Sequence, residues 1–388
     1  EITKKEREHF MKKLKLFRKI KSILSILLIS LLIIPLCSGI GIHAKEKNTE
    51  SNEYKIYPIP HSVVYDNEQF VMSDRVHVVF EEGIDKATQN FLEEVITDYG
   101  KTVVHSEEIV NGETTILLGI KGSNGKADSY INKNTTIKTS DLFNRTDSYI
   151  LSAKENIISI VGKDTDSTFF GIATLQMMLT SYEDPALRSV QIEDFSDIQY
   201  RGFIEGFYGG WDYKSRESLM RFARDVKMNH YIYASKTDPY HTSKWGELYP
   251  QSEIDQIQKL VKVGEETKCY YTWSVHISGF FTNLDTSNET AYNERYQKLL
   301  AKFRQLYDAG VRKFDILNDD FGQGTHEDVV NLLNKLTKEF IIPNNCKPIT
   351  YCMQGYNKAW SKEAELSALK KLDKSIILYW TGDDVNSP

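Results

Sequence analysis

The pattern of apolar and polar positions changes once along this chain, close to residue 196. Upstream, short runs rich in β-branched and aromatic residues predict strands at 70–72, 76–80, 114–118, 149–151 and 156–161. Helical spacing at 87–99 and 168–179 falls between them. Gly162-Lys163-Asp164 followed by Phe169-Phe170-Gly171 reads as the end of a strand, a turn and a helix start. Residues 54–195 are therefore expected to form a small α+β domain, most simply a structural cap. Downstream, predicted strands at 200–204, 231–234, 270–275, 314–317, 349–353 and 376–380 alternate with helical patterns at 215–228, 253–268, 292–309, 327–340 and 362–372. Asn229 and Gly310 are natural helix stops. Such alternation implies a parallel sheet over residues 196–388. Six strands fit a doubly wound sheet without remainder, whereas an eight-stranded barrel needs about two more βα units. The pattern alone leaves both topologies open.

The first 44 residues do not read as part of the fold. A basic run from Lys12 to Lys21 precedes an apolar stretch at 23–36, then small residues and Ile42-His43-Ala44. That is the order of a secretory signal peptide. A retained membrane anchor is the alternative, because the stretch approaches spanning length. A lipidated Cys37 fits less well, since Leu36 stands where a small residue belongs. Lys5-Glu6-Arg7 can be encoded by a purine-rich stretch like a ribosome-binding site, so translation is expected to begin at Met11. Residues 45–53 are polar and read as a tether. From residue 45 onward the chain carries 39 basic and 51 acidic side chains, which argues against a nucleic-acid partner. Three cysteines follow the leader, Cys269, Cys346 and Cys352, too few for a disulfide framework and without zinc-type spacing. The 22 tyrosines and 18 phenylalanines suit sugar stacking as well as a core, and core filling accounts for most of them.

Chemistry in a parallel α/β domain belongs at the carboxyl ends of the strands. Those ends read Glu205-Gly206-Phe207-Tyr208-Gly209, Ser235-Lys236-Thr237-Asp238-Pro239-Tyr240-His241, His276, Asn318-Asp319-Asp320-Phe321-Gly322, Gln354-Gly355-Tyr356-Asn357 and Trp380-Thr381-Gly382-Asp383-Asp384. The adjacent pair Asp319-Asp320 is the sharpest feature. Two neighbouring carboxylates split into a proton carrier and an anion, which is the division that general acid/base work needs. A retaining glycosidase sets its carboxyls about 5 Å apart across the scissile bond. Sequence neighbours suit instead a variant in which the substrate's own acetamido oxygen attacks, one Asp orienting the acetamide and the other protonating the leaving oxygen. Standing alone, the pair could equally cap a helix in a βα loop. His241 and His276 with the pair offer a metal-hydrolase reading, though without the usual His-x-His spacing. Lys236 suits a Schiff base, a donor to sugar hydroxyls or plain solvation. Asp383 and Asp384 read as loop or support residues.

Taken together, these strand ends resemble those of the family 84 glycoside hydrolases, the hyaluronidase-like toxins and β-N-acetylglucosaminidases related to O-GlcNAcase. The matching stretches are Arg201-Gly-Phe-Ile-Glu-Gly-Phe-Tyr-Gly209, Tyr233-Ala-Ser-Lys-Thr-Asp-Pro-Tyr-His241 with 245–250, and the Asp319-Asp320 pair. Gln354-Gly-Tyr-Asn-Lys-Ala-Trp360 and Tyr379-Trp-Thr-Gly-Asp-Asp-Val-Asn386 look like the hyaluronidase-like branch. The likeness spans about residues 54–388 and implies a (β/α)8 TIM-type barrel, truncated after about six strands, behind the α+β domain. It implies an exported bacterial enzyme, secreted or on the cell surface, that cleaves β-linked N-acetylglucosamine from glycans. The implied mechanism is retaining and substrate-assisted, with no metal and no cofactor. Asp319 would hold the acetamido group and Asp320 would be the general acid and base. Gly206 and Lys236 would bind sugar hydroxyls, Tyr356 would support the acetamide, and Asn357 and Trp380 would lie nearby.

Several positions depart from the family pattern. Ser235 stands for a usual proline and Thr237 for a usual Asp; Gly210-Trp211-Asp212 and Asn318 also differ. These bear on substrate range more than on chemistry. The family's late Trp-x-Asn motif and the Asp that follows it are not found, so this chain by itself is expected to be poorly stable and weakly active. A non-catalytic glycan-binding or adhesin module is the rival from another class, and a glycosidase pairing Glu205 with Asp320 is a second.

Overall fold

The computed structural model describes residues 53–181, 185–319 and 324–384. The leader with Met11 and Cys37, almost all of the tether, Asp320 and Asn386 lie outside the described residues. Two sheets organise the rest. The first contains β1 (Ser62–Val71), β2 (Arg75–Phe80), β3 (Thr102–His105), β4 (Thr114–Ile120), β5 (Thr146–Lys154), β6 (Ile157–Gly162) and β7 (Ala186–Ser196), in the order β1-β7-β5-β6-β4-β2-β3. Its strands alternate with period two between two apolar layers. Val78, Ile116, Leu118, Leu151 and Ile160 face helices α1 (Lys86–Asp98) and α3 (Thr165–Thr180), while Val79, Leu117, Ile150 and Val161 face α2 (Lys126–Asn134). Asp85 and Asp164 cap α1 and α3, accepting from the Thr88 and Ser167 amides at 2.9 and 2.8 Å.

β3, β7 and α2 are absent from the pattern-based reading. In β7 the apolar positions are interleaved with Arg188, Gln191, Glu193 and Asp194, and the tertiary fold supplies partners for the buried acids. Glu193 accepts from the Lys138 and Thr139 amides, each at 2.7 Å. No local pattern signals such a strand.

The second sheet holds β8 (Gly202–Glu205), β9 (His230–Tyr233), β10 (Tyr270–His276), β11 (Lys313–Leu317), β12 (Thr350–Cys352) and β13 (Ile377–Leu378), every neighbouring pair parallel. Spatial order follows chain order from β8 to β13. A doubly wound sheet reverses direction at a switch point, whereas this one advances strand by strand, as a barrel wall does. Helices α4 (Tyr213–Asp225), α5 (Gln251–Thr267), α6 (Ser278–Phe281), α7 (Glu289–Asp308), α8 (His326–Leu336) and α9 (Glu363–Leu369) connect the strands. The helix read at 327–340 ends earlier as α8 and continues as a wider turn over Thr337–Ile341. One face of the sheet, with Tyr231, Tyr271, Trp273, Phe314 and Ile316, packs on Leu260, Phe303, Leu306 and Leu332 of the helices. The opposite face carries a smaller apolar group of Ile232, Ala234 and Leu317 beside buried Thr272, Ser274 and Asp315. Gly202 is required where β8 meets β9, since a Cβ there would lie 1.7 Å from the His230 carbonyl oxygen.

Four cations join the two sheets, and all stand on segments that enter strands rather than leave them. Arg201 reaches Asp147 at 2.7 Å, and Arg224 grips Glu94 through two 2.8 Å bonds. Lys227 donates to the Tyr149 hydroxyl and Asp194, each at 2.9 Å, and Lys268 pairs with Asp85 and Asp166. The α+β domain thus covers the amino ends of the parallel strands and leaves their carboxyl ends open. Removing one partner of a buried pair strands the other charge. Lys227→Met is expected to lower stability by roughly 3 kcal/mol, the low end for such pairs because His61 stays 3.0 Å from Asp194. Urea denaturation of the two proteins measures it.

Candidate active site

Register brings the strand ends level. Glu205 pairs with Tyr233, His276 with Leu317, Leu317 with Cys352, and Tyr351 with Leu378. Gly206, Lys236, Asp319, Tyr356, Asn357 and Trp380 therefore all stand on the loops that leave the carboxyl ends, as the sequence predicts. They come from the first, second, fourth, fifth and sixth strands of the wall.

Glu205 is not among the groups facing this mouth. Its carboxylate is fully buried and accepts from Arg216 Nε and Nη2 at 2.9 Å each and from the Tyr231 hydroxyl at 2.5 Å. Burial alone would raise its pKa, but the Arg216 and Tyr231 hydrogen bonds more than offset that, and the net shift is downward. A carboxylate clamped in this way is a brace between β8, β9 and α4. A glycosidase that uses Glu205 as its second carboxylate loses its geometric basis.

The loop after β9 is also braced. Asp238 accepts from the hydroxyls of Tyr249 at 2.7 Å and Tyr233 at 3.1 Å and from the Tyr240 amide at 2.8 Å. Lys302 of α7, fully buried, donates to the carbonyls of Tyr240 and Lys244 at 2.9 and 2.8 Å among the rings of Tyr240, Tyr249 and Trp273. Burial pulls its pKa down to about 7. These contacts fix the loop from which Lys236 projects, half-buried and without an ion-pair partner among the described residues. Lys302 lies on a distant helix, and nothing in its own segment marks it for this role.

At the end of β11 the geometry is more telling. His276 Nε2 lies 2.9 Å from the Asp319 carbonyl oxygen, so that nitrogen carries the proton. Nδ1 faces the Ser278 amide and hydroxyl at 3.3 and 2.9 Å and accepts from them. The imidazole therefore pins the Asp319 backbone and leaves its carboxylate uncommitted. Asp319 Oδ1 is buried with no hydrogen-bond partner among the described residues and stands 3.7 Å from His276 Nε2. A buried acceptor left open costs free energy unless a donor arrives. His241 is likewise engaged through Nδ1 with the Ser274 carbonyl at 2.9 Å, and burial lowers its pKa to about 4. Both histidines weighed as metal ligands thus spend a ring nitrogen on the backbone. Deeper in the wall, Asp315 is buried between Ser274 and Thr350 in register and accepts from the Thr350 hydroxyl at 2.8 Å. Burial, with a smaller contribution from Asp319, raises its pKa to about 8, so the barrel interior holds a neutral acid there at pH 7. The residue-by-residue pattern gave no sign of Asp315, since one polar residue in an apolar strand carries no local signature.

On the far side, the Thr381 amide donates to the Tyr356 carbonyl at 3.0 Å and the Lys358 amide to the Gly382 carbonyl at 2.9 Å, zipping the loops after β12 and β13 together. Asn357 is fully buried. Its Oδ1 accepts from the Trp360 amide at 2.9 Å, while Nδ2 has no partner among the described residues. Trp380 is half exposed. Gly206 is exposed, and a Cβ there would meet only Ile204 at 3.7 Å, so the protein itself does not require glycine at that point.

Comparison with known proteins matches this architecture at every level. The beta-N-acetylglucosaminidase family model covers residues 201–388, the whole parallel wall, and the model of glycosyl hydrolase family 20, domain 2, covers residues 53–195. The solved structure of CpGH84D is 38% identical with a TM-score of 0.79, over 86% of this chain and 56% of that one. These matches support assignment of the chain to glycoside hydrolase family 84. A second family 84 structure, CpGH84B, is 29% identical at a TM-score of 0.74, over 87% of this chain and 57% of that one. Protein O-GlcNAcase of Rattus norvegicus is 27% identical over 203 residues, 48% of this chain and 21% of the rat protein. Its Mus musculus counterpart is 29% identical over 120 residues, 31% of this chain and 12% of the mouse protein. The chain thus spans about a fifth of the rat protein and just over half of the solved chains.

The Glu205 brace sets a pH dependence. Because its folded pKa is depressed, its contribution to stability is complete above its ordinary value of 4.5 and is lost as the pH falls through the folded value. Glu205→Gln is expected to cost roughly 3 kcal/mol at pH 7 and progressively less below about pH 4. Denaturation midpoints of both proteins between pH 3 and 7 give the comparison.

Proposed function

We propose that this chain carries the catalytic wall of an exported glycoside hydrolase that releases β-linked N-acetylglucosamine from glycans with retention of configuration. The observation that carries the reading is the buried Oδ1 of Asp319, without a hydrogen-bond partner among the described residues, at the carboxyl end of a family 84 wall strand. An N-acetyl sugar brings the matching donor, its acetamide N–H. Asp319 accepts that hydrogen bond, which orients the acetamido oxygen towards C1 and raises its nucleophilicity. The oxygen attacks C1 as the glycosidic bond breaks, and Asp320 delivers its proton to the departing oxygen. Asp320 then takes a proton from water, which opens the cyclic intermediate from the face the leaving group left. Two inversions give net retention, as in other substrate-assisted glycosidases. His276 serves by keeping the Asp319 backbone still. Gly206 allows the sugar close to the backbone, Lys236 donates to hydroxyls, and Tyr356 and Asn357 line the acetamide side with Trp380 at the rim. The basic and apolar order of residues 12–36 supports export, to the medium or the cell surface.

The two carboxylates have separable signatures. Asp320→Asn is expected to slow hydrolysis of an alkyl β-N-acetylglucosaminide by about 10²–10⁴-fold, and far less when the leaving group is a nitrophenolate that needs no proton. Asp319→Asn is expected to slow both substrates alike. Steady-state rates on the pair of substrates distinguish them, and folded variants that bind the sugar while the parent shows no turnover on either would favour a glycan-binding module instead. Gly206→Ala is expected to keep the parent's melting temperature and raise KM about tenfold, measured by thermal denaturation and kinetics.

A further inference from the structure

Of the five tryptophans, Trp273 is fully buried in the wall, and Trp211 and Trp245 are partly buried, packed against Phe207 and Phe280, whereas Trp360 and Trp380 are 47% and 51% exposed. Both exposed indoles stand on the two loops zipped together after β12 and β13. Trp360 meets the Tyr356 ring at 5.2 Å in an edge-to-face contact, and its amide is tied to Asn357, so its position is set although its face is open. Beside it lies a cavity of about 510 Å³, the size of a small-molecule site. Its walls include Gln354, Trp360, Ser361, Lys362 and Glu365.

The polar members of that wall are of two kinds. Glu365 accepts from the Gln354 and Gly355 amides at 2.9 and 3.0 Å, and the Ser361 hydroxyl donates to the carbonyls of Gly355 and Asn357 at 2.9 and 2.7 Å. These bonds hold the backbone of the cavity rigid. The Gln354 amide group and the Lys362 ammonium have no hydrogen-bond partner among the described residues and remain for a ligand. An open indole face next to free donors and an acceptor suits a sugar ring, with its apolar C–H face and rim of hydroxyls, better than a continuous apolar partner. One wall of the cavity, Gln354, stands on the loop that leaves β12, next along the sheet from the β11 loop that carries Asp319. Leu317 pairs with Cys352, and the ladder continues through the Asn318 amide to the Cys352 carbonyl at 3.0 Å. Asp319 and Gln354 each stand two residues beyond the Leu317–Cys352 pair, on the loops that leave neighbouring strands.

We infer that Trp360 is the stacking platform for the sugar next to the cleaved N-acetylglucosamine, with Gln354 and Lys362 as its hydrogen-bond donors, so that the substrate is a glycan of at least two sugars. This rests on the N-acetylglucosaminidase reading above and names the substrate class of the same site.

Calorimetric titration of the 388-residue chain with methyl β-N-acetylglucosaminide and with a non-hydrolysable S-linked disaccharide bearing N-acetylglucosamine at its non-reducing end tests it. The disaccharide is expected to bind about five- to tenfold more tightly than the monosaccharide. Trp360→Ala should erase that advantage, the disaccharide then binding no more tightly than the monosaccharide, and Trp360→Phe should keep most of it. Equal affinity of the parent for both ligands, or an advantage that survives Trp360→Ala, overturns the platform while leaving the glycosidase reading intact. Absence of affinity for either ligand in the folded parent overturns the glycosidase reading and the platform with it.

Discussion

Everything functional in this chain depends on one constraint, the parallel ladder from β8 to β13. Parallel neighbours require every connection to return to the starting edge, so each strand leaves its carboxyl end on the same side. Six loops with no sequence proximity thereby converge on one mouth. The ladder is not self-supporting. Its outer face is held by aromatic packing of Trp273, Phe303 and Phe314, and its entering segments are tied to the α+β domain by Arg201, Arg224, Lys227 and Lys268. Those ties occupy the amino ends of the strands, which is why the chemistry is confined to the other end.

Charge is used in two opposite ways within this frame. Glu205 and Lys302 are buried and Asp238 partly so, and each is held by several partners and serves as a brace. Asp319 is the reverse, a carboxylate whose backbone is held by His276 while one oxygen has no donor among the described residues. A fold spends partners on its braces and withholds them where a ligand is to supply the missing bond. At the strand ends this contrast distinguishes Glu205 from Asp319, two acids that look alike in the sequence.

The neutral acid Asp315 fits the same logic. It lies inside the wall in register with Ser274 and Thr350, and its neighbour Asp319 adds to the cost of ionising it. Keeping it uncharged spares Asp319 a second negative charge nearby.

Much of this was legible in the residues themselves. Strand–helix alternation in residues 196–388 reports local periodicity, and periodicity survives without tertiary context, so all six wall strands were found. The strand-end motifs around Gly206, Lys236, Asp319, Tyr356, Asn357 and Trp380 were equally visible, because placing chemistry at a loop needs only the knowledge that a strand has just ended. What periodicity cannot carry is strand order, and only the tertiary structure decided between a doubly wound sheet and an advancing barrel wall. Nor can it tell which polar side chains meet. β7 needed the amides of Lys138 and Thr139 to bury Glu193; Lys302 needed a loop some 60 residues away. Glu205 stood in the same motif as Gly206, and only the approach of Arg216 and Tyr231 turned one into a brace and left the other open to a ligand. Local order along the chain specifies the elements, while the partners of buried charges are set by contacts between residues far apart in it.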